Sequence, residues 1–188
     1  MSELMDVPDS FYVSTCISWA NSVILQGERI HELVRLFQGS GDLYRHGDIS
    51  DIRKLEVRLD TQKAEEHFFL IAAGKLTDWL QSSQDKGLVS PDEWRDILSF
   101  KKSIDDTRNM REHDDEYFFG KGRAQNRFIQ KVERGGVTVQ SDASCTIGQE
   151  GEIYIGHGVA MFKIMDLARN LLGVLEPRRK EIMSKRKL

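Results

Sequence analysis

The sequence predicts a mainly α protein: an up-and-down bundle of four to five helices with a small β-hairpin or meander inserted before the last long helix. Three observations carry that reading. Apolar residues recur at spacings of three and four over long stretches. Only three prolines interrupt 188 residues. β-prone runs punctuated by glycine are confined to about 135–157. Length fits one domain over 1–188.

Taken in order, Pro8-Asp9 reads as a helix start after a frayed lead-in. From Phe11 to about Phe37 an apolar stripe runs through Val23, Ile24, Ile30, His31, Leu33, Val34 and Phe37. Gly27 interrupts it at a cost of roughly 1 kcal/mol relative to Ala, predicting two helices or one bent one. Gln38 to Asp42 is loop composition, and 43–50 is weakly patterned. A second helix is predicted over Asp51 to Ser83, with a stripe that includes Leu55, Leu59, Ala64, His67, Phe68, Ile71, Leu76 and Leu80.

Ser90-Pro91-Asp92-Glu93 is a capping box with Pro at the first helical position and acids at the positive end of the dipole. It predicts a long third helix ending near Phe118 or Phe119, before Gly120-Lys121-Gly122. Two or three short strands come next within 137–155, and a last helix runs from Gly158 to Pro177. Residues 178–188 form a basic tail, read as an unstructured end.

Bulk properties narrow the function. The chain is 39% hydrophobic and 30% charged, ordinary for a globular protein. A net charge of -3 argues against a broadly nucleic-acid-coating surface. Cys16 and Cys145 lack metal-ligand spacing and imply no disulfide framework. No run of eighteen apolar residues exists, and the acidic start is unlike a signal peptide, so no membrane association and a cytoplasmic location are expected.

The stretch richest in chemistry is Asp105 to Arg123, DDTRNMREHDDEYFFGKGR. Arg108 supplies a permanent cation, Asn109 an amide, and His113 a group that titrates near neutrality. Metal-independent RNA cleavage needs those capacities: proton transfer at the 2'-OH and the 5'-oxygen, and stabilisation of charge on phosphorus. Arg111, Lys121 and Arg123 are further candidates for holding substrate phosphates.

The Arg108-x4-His113 spacing resembles the R-x4-H motif of the HEPN superfamily of helical-bundle proteins. The resemblance implies a metal-independent ribonuclease without a cofactor, acting on RNA as a homodimer with paired motifs in one cleft. It also implies a role as a toxin with an antitoxin or other partner protein, or in phage defence. In that scheme Arg108 binds the scissile phosphate, His113 does the acid–base work and Asn109 supports them.

Helical geometry bears on this, because five residues turn a side chain by about 140°. Arg108 and His113 then share no face unless the helix unwinds near Glu112, or two copies pool their residues. The alternative is a non-catalytic interaction or RNA/nucleotide-binding module, with Arg108–Glu112 and Arg111–Asp115 as surface ion pairs. Elsewhere, Glu65 and Glu66 read as solvated and His67 as a cap on the apolar face, while His31 and His46 have no evident partner. The adjacent acids Asp114-Asp115-Glu116 diverge around a helix, so no metal site is expected.

Overall fold

The structure, a computed structural model, describes residues 7–38, 47–123, 125–134, 137–142, 145–148, 150–156 and 158–185. Positions 39–46, with His46, and the glycines at 135 and 136 lie outside these residues, as do positions 186–188.

Helix α1 (Asp9–Gln38) is continuous through Gly27. A Cβ at Gly27 would lie 2.3 Å from Met165 Sδ in the last helix. The glycine therefore marks a close helix–helix approach rather than a break. Helix α2 (Ile49–Asp85) begins at Asp48, whose Oδ1 accepts from Ser50 N at 2.8 Å and Asp51 N at 3.0 Å. It ends at Lys86, and Gly87 comes next with φ +67°.

The predicted third helix is instead four pieces. They are a 3-10 turn (Pro91–Glu93), α3 (Arg95–Ser99), α4 (Lys101–Glu112) and α5 (Asp114–Phe118). The capping box forms as expected, with Ser90 N donating to Glu93 Oε2 at 2.9 Å. Continuity is then lost at Trp94 (φ -143°, ψ 12°). Trp94 is buried and its indole N–H donates to Gln84 Oε1 at 3.1 Å, so a tertiary anchor overrides local propensity. Phe100 (φ -82°, ψ -12°) separates α3 from α4 with little change of backbone, and the third junction falls at His113 (φ -129°, ψ 37°). The exit comes where expected: α5 ends at Phe118, and Gly120 has φ +77°.

A short helix α6 (Gln125–Phe128) leads into β1 (Ile129–Arg134), which pairs antiparallel with β2 (Val137–Asp142). Strands β3 (Cys145–Ile147), β4 (Ile153–Ile155) and β5 (Val159–Ala160) form a separate three-stranded antiparallel sheet. The β region thus starts earlier than 135. Lys131, Glu133 and Arg134 give β1 a charged composition that strands usually avoid, which hides it in the sequence.

Helix α7 (Met161–Lys185) does not stop at Pro177 but passes through it. Beyond the proline, Arg178 donates to Leu88 O at 2.6 Å and Ile182 packs against the core, which offsets the lost backbone bond. The stretch 178–185 is therefore helical rather than a loose tail.

Helix α1 packs against α2 and α7, α2 also packs against α4, and α3 reaches α7. Their apolar faces share one core, including Val13, Ile30, Phe69, Leu76, Ile104 and Ile164. Met110, Tyr117, Phe128 and Ile129 form a second, smaller cluster next to the Arg–His stretch. No helix among the described residues is long and apolar enough to cross a membrane.

Candidate functional site

Helix α4 buries Ile104, Thr107 and Met110, a three-residue spacing that leaves Arg108 and Asn109 half-buried beside that face. Arg108 lies over α2 at Gly74, where a Cβ would stand 3.1 Å from Nη1. Its charge is met by Asp105 and Glu112, each at 3.7 Å, so both pairs are long and only partly sheltered. The i,i+4 pair Arg108–Glu112 read from the sequence is present.

Arg108 and Asn109 line a cleft of about 270 Å³ together with Asp105, Asp106, Tyr117 and Arg123. The two aspartates already have cations of their own. Asp106 accepts from Lys102 Nζ and Arg127 Nη1, both at 2.8 Å, and the Lys102 bond above all holds its carboxyl below the usual range. Lys101 reaches Asp78 at 2.5 Å and Asp105 at 3.5 Å. Counting Lys101, Lys102, Arg108, Arg123 and Arg127 against Asp78, Asp105, Asp106 and Glu112, five cations face four acids on this flank.

Arg123 arrives from the loop after α5 by specific packing. A Cβ at Gly122 would sit 2.4 Å from the Tyr117 ring, so only glycine lets the chain lie flat on it. Gly122 N donates to Gln125 Oε1 at 3.1 Å, and Gln125 Nε2 donates back to Tyr117 O. Tyr117 is held edge-on against Phe128 at 5.7 Å. Lys121 is exposed and does not line the cleft.

His113 sits at the break between α4 and α5, its backbone N donating to Asn109 O at 3.1 Å. The helix does unwind beside Glu112, as a single-chain arrangement requires. Yet His113 does not line the cleft. Its side chain is half-exposed, with Nδ1 3.9 Å from Glu116 Oε1, an ion pair only when the imidazole is protonated.

Arg111 lies elsewhere again. It is ion-paired with Glu66 of α2, which also accepts from Gln62 Nε2 at 2.7 Å. The reading of Glu65 and Glu66 as solvated is corrected: Glu66 is 1% exposed, and the Glu65 side chain is 18% exposed and pairs with Arg29 at 3.6 Å. A signal existed, since Glu66 falls in phase with the buried Leu55, Phe69, Leu70 and Ala73. The predicted stripe is out of phase at this point, for Phe68 is exposed and His67 leans on it at 6.4 Å. Burial pushes the Glu66 carboxyl above its usual range, with Arg111 opposing. Burial and the neighbouring Glu66 push the Cys145 thiol up to about 12, so it stays protonated. The Arg111–Asp115 pair read from the sequence is thus displaced by an interior one.

Outside the motif, His31 stacks edge-on against Phe162 at 5.1 Å. Among the described residues, no three of His, Cys, Asp or Glu converge as a metal site would require. Comparison with protein-family models, with curated proteins and with solved structures gives no match.

Proposed function

We propose that the protein is a HEPN-like, metal-independent RNA endonuclease that acts as a homodimer. The observation that carries this reading is the cleft in which Arg108, Asn109 and Arg123 converge. Two guanidinium groups and an amide supply donors for the non-bridging oxygens of one phosphodiester. His113 of a second copy then takes the proton of the ribose 2'-OH as its oxygen attacks phosphorus. The bond to the 5'-oxygen breaks, and the proton passes to that oxygen. The products are a 2',3'-cyclic phosphate and a 5'-hydroxyl. Toxin or defence roles rest on the family resemblance alone, as does an antitoxin or other partner protein.

A second reading has one specific observation behind it: within one chain His113 stands outside the cleft, beside Glu116. That arrangement favours a non-catalytic module binding RNA or a nucleotide through Arg108 and Arg123. Incubating RNA with the protein in EDTA separates the two. Cleavage with cyclic or 3'-phosphate ends, lost in His113→Ala, supports the nuclease. Binding without cleavage by a folded dimer supports the module.

A further inference from the structure

We infer that Phe119 is a stacking platform for an unpaired base, so that the substrate at the cleft is single-stranded RNA. The inference rests on the RNA reading above and deepens it. Phe119 is 78% exposed, more than any other large hydrophobic residue described. A lone exposed Phe carries no message, but this one stands on a loop tied down at several points. Phe119 N donates to Asp115 O at 3.0 Å, Gly120 N to Tyr117 O at 3.2 Å and Lys121 N to Glu116 O at 2.8 Å. Gly122 lies on the Tyr117 ring immediately after. The fold holds this segment and still turns the ring to solvent.

The chain beyond Phe119 is basic and continuous with the cleft. Lys121 is exposed, and Arg123 lines the cleft beside Arg108 and Asn109. An aromatic face next to cations that track a phosphate backbone is the arrangement that holds single strands. The stack tolerates any base, because every base has a π face. A duplex keeps its bases stacked within the helix and offers none to Phe119. Ahead of the platform, the exposed acids Asp114, Asp115 and Glu116 repel phosphates. The strand is thereby confined to the Lys121–Arg123 side.

Fluorescence anisotropy with a labelled 2'-O-methyl RNA 12-mer, which resists cleavage, tests the assignment. Three probes are compared: the single strand, its duplex, and a single strand carrying several abasic positions. Wild type should prefer the single strand, and Phe119→Ala should lose roughly tenfold in affinity for it with an unchanged Tm. Phe119→Trp should retain binding. The abasic strand should bind wild type and Phe119→Ala equally weakly. Equal affinity of wild type and Phe119→Ala for the single strand overturns the inference while leaving RNA binding intact, and so does equal affinity for strand and duplex. No binding of any RNA by wild type removes the RNA reading itself and this inference with it.

Discussion

Arg111 in the last turn of α4 is ion-paired with Glu66 in the middle of α2, with side chains only 9% and 1% exposed. The pair joins the helix that carries the motif to the helix beneath it, two residues before the chain breaks at His113. Charges in such a place are taken out of water, and losing one partner leaves the other buried without compensation. Replacing Arg111 by Met leaves a buried carboxylate without its cation. Chemical denaturation should show a loss of about 3–5 kcal/mol. The double variant Glu66→Leu/Arg111→Met should recover most of it, since an apolar pair needs no compensation. A stability unchanged in Arg111→Met contradicts the interior role of the pair.

The same carboxyl gives a pH signature. Burial raises the Glu66 pKa in the folded state above its unfolded value. The folded protein therefore holds this proton more tightly, and Glu66 favours the fold increasingly as pH falls from its folded pKa towards its unfolded one. Asp106 has the opposite sign, because its cations lower its pKa. Its contribution is present above the unfolded pKa and is lost as pH falls through the folded one. Denaturation across the acid range should show wild type gaining on Glu66→Gln as pH drops, and losing its advantage over Asp106→Asn. Parallel curves for all three proteins contradict both assignments.

Gly122→Ala tests whether loop packing delivers Arg123 to the cleft. The added methyl meets a buried ring held by Phe128, so overpacking should lower stability by about 1–3 kcal/mol. RNA affinity, read by anisotropy, should fall to that of Arg123→Ala. Affinity equal to wild type would detach the loop from the site.

Gly156 has φ +60°, and a Cβ there would lie 2.7 Å from Thr107 Cγ2 on α4. Gly156→Ala combines backbone strain with a clash against a short, hydrogen-bonded side chain. It should lower stability by about 1–3 kcal/mol, seen as a lower Tm. A neutral result contradicts the close seating of the β4–β5 turn on α4.

Local signals proved dependable where the cause is local. The capping box at Ser90 and the glycine exit after Phe118 lie where spacing and turn chemistry put them. Long-range packing set the rest. Trp94 breaks its helix because its indole is anchored on α2, and Pro177 fails to end α7 because Arg178 and Ile182 find partners beyond it. The motif itself was legible, but its partition was not. Residues adjacent in sequence went to different places: Arg108 to the cleft, Arg111 to the interior, His113 to a solvent-facing break. The partner of Arg111 is 45 positions away, a separation no local pattern encodes.

The central claim is that Arg108 and His113 act together from two copies. Mixing subunits tests it most directly. Arg108→Ala and His113→Ala should each be inactive on RNA in EDTA. Unfolded and refolded together, they form mixed dimers with one intact composite cleft, and about a quarter of wild-type activity should return. An inactive mixture, alongside an active wild type and shown by mass to contain mixed dimers, contradicts the composite site.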